Sequence, residues 1–113
     1  MAFSNLSSRE QLALREAIIA VLISPDLHPD DCSIRYGVSF HRIKHVLRKW
    51  PEFDEEEETL SAINGCLNEV CHGIAFDDDP DMVGMTPKEW PKWFSVSKDE
   101  MMDIFHKWRN LAR

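Results

Sequence analysis

The chain has 113 residues and a formal net charge of −7, and 43% of its residues are apolar. This length and composition predict one domain with one hydrophobic core and argue against disorder along the whole chain. No apolar run approaches the ~20 residues that a membrane span needs, and the amino terminus lacks a signal-peptide pattern. We therefore expect no membrane partner, and the odd number of cysteines, three, favours reduced thiols and a cytoplasmic location.

The charge is distributed unevenly along the chain. Residues 1–51 carry a net charge of +2, and residues 52–113 carry a net charge of −9. Between Ser33 and Trp50 there are five Lys or Arg residues and no acid. Such asymmetry bears on the binding partners of a protein rather than on its fold.

The first predicted helix spans about residues 7–24. Ser7 and Glu10 form a capping box, in which each side chain can bond the backbone N–H of the other residue. Pro25 ends the helix, because the residue before a proline is disfavoured in the helical conformation. Apolar residues cover much of the circumference, so we expect burial on several sides. The predicted inner residues are Leu12, Ala13, Ala17, Ile18, Ile19, Ala20, Val21 and Ile23.

Two shorter helices are predicted next. The first begins at Pro29, which suits the first helical position, and ends at Gly37, which can adopt the left-handed conformation of a helix stop. The second runs from Phe40 to Lys49 after a cap at Ser39. The Trp50-Pro51 step ends it.

The second half of the chain predicts three further helical segments. One covers about residues 54–72 and opens with the acids Asp54–Glu58, which complement the helix dipole. After a loop at residues 77–84, Thr86–Glu89 predict a short helix through Trp90. A further capping box, Ser97 with Glu100, begins a last helix that ends near Leu111. The predicted inner residues are Leu60, Ile63, Leu67, Val70, Cys71 and Ile74 in the first of these helices, and Met101, Ile104, Phe105, Trp108 and Leu111 in the last.

No segment shows a convincing strand-like alternation. The predicted fold is therefore all-α, a compact bundle of five or six helices that forms a single domain over residues 1–113, with a helix-turn-helix-like hairpin in its N-terminal half. The aromatic residues of the second half stand at helical spacing and are predicted to belong to the core, with an interface or a ligand pocket as the alternative. These residues are Trp90, Trp93, Phe94, Phe105 and Trp108.

Residues 29–49 resemble the helix-turn-helix pattern of DNA-binding proteins. A small residue stands where two helices would cross, a glycine stands at the turn, and aliphatic residues follow at the positions that pin the helices together. The residues that carry the resemblance are Ser33, Gly37, Val38, Ile43, Val46 and Leu47. The resemblance implies that both helices pack on the helix at residues 7–24 and that Phe40–Lys49 takes the recognition position.

The two sides of this predicted recognition helix differ in chemistry. Its apolar side, formed by Ile43, Val46, Leu47 and Trp50, would face the scaffold, and its cationic side suits phosphates and base edges. Arg42, near the helix start, is the best candidate for a base contact. The predicted nucleic-acid-binding residues are Ser39, His41, Arg42, Lys44, His45, Arg48 and Lys49.

These features predict a small DNA-binding protein of the transcription-regulator type. Residues 1–51 form its helix-turn-helix-like part, and residues 52–113 form an acidic helical part for dimerisation or ligand binding. The predicted partner is double-stranded DNA, and a homodimer through residues 54–113 would place two recognition helices on one duplex.

Two alternatives to DNA binding stay open. In the first, the basic helix is only an amphipathic helix whose charges face water or pair with Asp54–Glu58. In the second, the protein is an acidic interaction module that binds a basic partner through Asp54–Glu58 and Asp77–Asp81, by analogy with small helical inhibitors and immunity-type proteins.

The sequence predicts neither an enzyme nor a cofactor. It contains no phosphate loop, dinucleotide fingerprint or nucleophile elbow. His41 and His45 stand four residues apart but have no adjacent third metal ligand. Cys71 and His72 would point about 100° apart on a helix. Asp77–Asp81 lacks the glycine and the glutamate of a calcium loop.

Overall fold

The computed structural model describes residues 3–23, 40–74 and 90–111. Every regular element within these ranges is helical, which confirms the all-α prediction. The predicted helix at residues 29–37, the loop at residues 77–84 and the segment Thr86–Glu89 lie outside the described residues. The elements are a 3-10 turn (Phe3–Asn5), α1 (Ser8–Ile23), α2 (Phe40–Arg48), α3 (Glu57–Asn68) with a π-helical continuation (Glu69–Ile74), α4 (Trp90–Trp93) and α5 (Lys98–Leu111).

Helix α1 begins with the predicted capping box. The Ser7 N–H donates to Glu10 Oε1 at 2.8 Å, and the Glu10 N–H donates to Ser7 Oγ at 3.1 Å. The inner face of α1 differs from the prediction, because Leu12 is 46% exposed and Ile19 is only half-buried, whereas Leu14, which is not among the predicted inner residues, is fully buried. The buried arc is centred near Ala17, and at 100° per residue Leu12 falls on the opposite side of the helix.

Helices α1, α2 and α3 pack against one another, and α5 contacts both α1 and α3. Among the described residues, the core between them consists of apolar side chains together with the buried Thr59, and it also encloses the Trp108 indole N–H. The predicted inner residues of α5 are confirmed, with Leu111 half-buried at its end. Four of the five predicted core aromatics are buried, and Trp93 is half-buried. The largest fully buried side chains include Trp108, Phe105, Leu14, Ile18, Ile43, Ile63, Leu67 and Met101.

Helix α3 begins at Glu57, three residues later than predicted. Asp54 Oδ1 accepts hydrogen bonds from the Glu56 N–H at 3.1 Å and from Thr59 Oγ1 at 2.9 Å. These bonds stabilise residues 54–56 in a turn before the helix, and Glu56 takes an extended conformation at the N-cap. Asp54 therefore stabilises the residues that lead into the helix, and the acidic run is split between this turn and the first turn of α3.

Three polar contacts connect α1 to the segment around α5. Arg9 makes a bidentate contact with Glu100, with Nη2 2.9 Å from Oε2, and Lys107 Nζ lies 2.9 Å from Glu10 Oε1. Glu16 Oε1 accepts from Ser95 Oγ at 2.7 Å. These contacts connect the outer surface of α1 to α5 and to the residues just before it.

No helix among the described residues is both long and apolar enough to cross a bilayer. Cys66 and Cys71 are buried free thiols, which confirms the predicted inner position of Cys71. Cys32 lies outside the described residues.

Candidate nucleic-acid interface

Helix α2 is fixed in the bundle by its apolar side. Ile43 and Val46 are almost completely buried, and Leu47 and Trp50 are partly buried against the same core. These are the residues that the sequence places on the apolar side, so that prediction is confirmed. Because α2 contacts both α1 and α3, the fold fixes the orientation of α2 and therefore the direction in which its polar side faces.

An aromatic cluster holds the carboxyl end of α2. The ring centroids of Phe3, Trp50 and Phe53 lie 4.9 Å, 4.9 Å and 5.1 Å apart in pairs. The Phe3 N–H also donates to Glu55 Oε1 at 3.0 Å. The residues before α1 thus pack against the α2–α3 connection, a contact that sequence reasoning missed. Phe3 and Phe53 are outside the predicted helical stripes, and the sequence does not say which other aromatic residues they contact.

The polar side of α2 carries most of the predicted nucleic-acid-binding residues. His41, His45 and Arg48 are four and three residues apart, so they lie along one face of the helix. His41, Arg48 and Lys49 are exposed, and Lys44 and His45 are half-buried. Ser39 lies outside the described residues. We call this side the α2 ridge; it consists of His41, Lys44, His45, Arg48 and Lys49.

Arg42 is not part of the ridge and contacts an acid of α3. Its Nη2 atom lies 2.8 Å from Glu58 Oε2, and its side chain is only 28% exposed, against 69% for Glu58. The residue that the sequence singles out for a base contact is therefore paired with the acidic run in the structure. The pairing of the basic helix with Asp54–Glu58, one of the two alternatives, occurs at this residue.

The acids of the α2–α3 connection and of the first turn of α3 form a second charged surface. We call Glu52, Asp54, Glu56, Glu57 and Glu58, all of which are exposed, the acidic border. Hydrogen bonds from Thr59 and from the Glu56 N–H lower the pKa of Asp54, and the positive charge of Arg42 lowers it further. The ridge and the border therefore have opposite charge, and Arg42, which is on the same helix as the ridge, is paired with Glu58 of the border.

The described residues include the histidine pair and one of the cysteines that the sequence analysis weighed for metal binding and thiol chemistry. No group of three or more His, Cys, Asp or Glu side chains within these ranges could hold a metal ion. His41 and His45 remain a pair on α2. Burial raises the pKa of the Cys71 thiol to about 12, so this thiol stays protonated at neutral pH and is a poor nucleophile.

The structure also has a concave feature that is lined by no residue of α2. An open groove of about 650 Å³ runs between α4 and the start of α5. The Trp90 Nε1–H donates to the Val96 carbonyl at 2.8 Å, and the Trp90 and Phe94 rings lie 4.1 Å apart beneath this groove. Because both rings are almost fully buried, the groove has a rigid apolar floor but exposes little of it.

Comparison of the chain with protein-family models, with curated proteins and with solved structures gives no match in any of the three. The functional argument therefore rests on the residues of this chain and on their arrangement.

Proposed function

We propose that the protein binds double-stranded DNA through the α2 ridge. The observation that carries the proposal is the two-sided character of α2, whose buried side is held by α1 and α3 and whose polar side carries cations and histidines without an acid. A helix fixed in this way presents side chains to a partner with little loss of conformational freedom.

The charges of the ridge suit a phosphate backbone. Arg48 and Lys49 are exposed at the carboxyl end of α2, where they also complement the helix dipole. Lys and Arg side chains bind phosphates by displacing condensed counterions, so the affinity falls steeply as salt is added. The net charge of −7 opposes this attraction, and we expect binding to be weak and confined to low salt.

A single ridge covers only a short stretch of duplex. Helix α2 has nine residues, which corresponds to a length of about 14 Å. The proposal therefore includes a homodimer through residues 54–113, whose second ridge would contact the next turn of the same duplex.

Charge-neutral variants of the ridge test the proposal. The pair Arg48→Gln and Lys49→Gln should weaken binding to a labelled random-sequence duplex about tenfold, roughly threefold for each lost phosphate contact, and should flatten the salt dependence. The matched control is Lys92→Gln with Arg109→Gln, which removes the same charge from exposed sites on α4 and α5. Equal losses in the two variants would show that only net charge matters and would contradict a ridge-specific site.

A second candidate function is supported by the acidic border. Glu58 already binds one arginine of this chain. Glu56 and Glu57 beside it are exposed, and exposed carboxylates suit a basic partner. We propose as the alternative an interaction module that binds a Lys- and Arg-rich segment. The test is binding of a basic peptide to the wild type and to the variant Glu56→Gln with Glu57→Gln. Weaker peptide binding by the variant, together with no DNA binding by the wild type, would favour this function.

A further inference from the structure

The pairing of Arg42 with Glu58 has a consequence for binding that extends the proposed function and depends on it. Arg42 is the first cation of α2 and lies in its first turn, the part of a recognition helix that approaches base edges and phosphates. In the structure its guanidinium contacts a carboxylate instead. We propose that Glu58 is an autoinhibitory residue, which occupies Arg42 in the free protein and restrains nucleic-acid binding by α2.

The exposure of the two partners indicates how the restraint would be released. The Glu58 side chain is 69% exposed, whereas that of Arg42 is 28% exposed and is held against the bundle. An exposed ion pair contributes little to stability, so Glu58 can rotate into solvent while Arg42 stays in place. A phosphate can then take the position of the carboxylate, because both anions match the geometry of a guanidinium group.

The exchange of one anion for another limits the gain in affinity. When a lysine or arginine side chain without a competing anion binds a phosphate, the counterions condensed on the DNA at that phosphate are released. Arg42 must first give up Glu58, and the displaced carboxylate then remains beside the phosphate and repels it. Asp54 adds to this repulsion, because it lies within the electrostatic influence of Arg42. Neutralising Glu58 therefore removes one competitor for the Arg42 guanidinium and one source of repulsion.

A double-mutant cycle tests the inference. Wild type, Glu58→Gln, Arg42→Gln and the double variant are titrated against a labelled random-sequence duplex of about 20 base pairs at low salt. We expect Glu58→Gln to tighten binding at least threefold, the effect of about one added phosphate contact, and to do so much less when Arg42 is already replaced. Circular dichroism of each variant checks that the helices are retained.

Glu57→Gln is the matched control, since it removes an exposed neighbouring charge that is not paired with Arg42. The restraint is supported if Glu58→Gln increases the affinity for the duplex more than Glu57→Gln does. It is also supported if Glu58→Gln binds the duplex under conditions in which wild type shows no binding. Equal effects of the two variants, or a wild type that binds and is unchanged by Glu58→Gln, would overturn the restraint and leave the proposed function standing. If neither wild type nor Glu58→Gln binds, the proposed function fails, and the restraint fails with it.

Discussion

Lys107 Nζ lies 2.9 Å from Glu10 Oε1, and the same oxygen accepts the Ser7 N–H at 2.8 Å. One carboxylate thus caps α1 and also ties it to α5, two elements that are far apart in the sequence. The hydrogen bond from the Ser7 backbone and the contact with Lys107 lower the pKa of Glu10 below its usual value of 4.5. The stability of this junction is therefore coupled to pH.

Replacing Glu10 with Ala should destabilise the protein in a pH-dependent way. Because the pKa of Glu10 is lower in the folded state, its contribution is fully present above 4.5 and is lost as pH falls through the lowered value. At neutral pH we expect the variant to lose about 1 kcal/mol of unfolding free energy, a typical contribution of a helix cap. Urea denaturation of wild type and variant at about pH 7 and about pH 3 measures the difference.

Glu10→Gln is the control for this experiment. A glutamine can still accept the Ser7 N–H but cannot form the ion pair with Lys107. We expect a smaller loss than for Glu10→Ala at neutral pH and a flatter dependence on pH. A Glu10→Ala variant whose deficit stays constant down to about pH 3 would contradict the role assigned to the carboxylate.

Leu12 and Leu14 of α1 form a matched pair for testing the position of the core. Leu14→Ala should cost about 2–5 kcal/mol of unfolding free energy, because it leaves a cavity at a fully buried site. Leu12→Ala should change stability by only about 0.5 kcal/mol, because this side chain is largely in solvent. Denaturant melts of the two variants compare them directly, and similar losses would show that the inner face of α1 is misassigned.

The turn before α3 provides a third test. Asp54→Ala removes the acceptor of the buried Thr59 hydroxyl and of the Glu56 N–H, so the thermal midpoint should fall. Thr59→Val removes the hydroxyl that needs the acceptor. We therefore expect Asp54→Ala to lower the midpoint less in a Thr59→Val background than in wild type. Identical shifts in both backgrounds would argue that Thr59 does not depend on Asp54.

The buried thiols should resist alkylation in the folded protein. With a pKa of about 12, only about one Cys71 in ten thousand is a thiolate at pH 8, and access is restricted by burial as well. In a Cys32→Ser background, mass spectrometry after iodoacetamide treatment should show almost no label on the native chain and two labels on the urea-unfolded chain. Rapid native labelling of Cys71 would contradict its place in the core.

The local features of the fold could be predicted from the sequence. The Ser7–Glu10 capping box, the apolar side of α2 and the buried face of α5 all follow from spacings of three or four residues, and the structure confirms each of them. Such features depend on interactions within one helix or one turn, so a single sequence is enough to reveal them.

The contacts between distant segments could not be predicted in the same way. The Phe3–Trp50 contact and the Arg9–Glu100 pair join residues whose partners depend on how the helices are arranged. The Arg42–Glu58 pair is an intermediate case. The opposite charges of the two segments indicated that they could pair, but the sequence could not identify which residues would meet. The sequence therefore predicted Arg42 as a base contact, and only the structure shows that Glu58 competes for its guanidinium.

The most direct test of DNA binding through α2 is a fluorescence-anisotropy titration of a labelled random-sequence duplex with the wild-type chain, at about 50 mM and about 200 mM salt. We predict binding at the lower salt concentration that weakens steeply at the higher one, because exposed cations such as Arg48 and Lys49 would contact phosphates. Absence of binding at the lower concentration, where the attraction is strongest, would contradict the proposed function and favour the acidic interaction module.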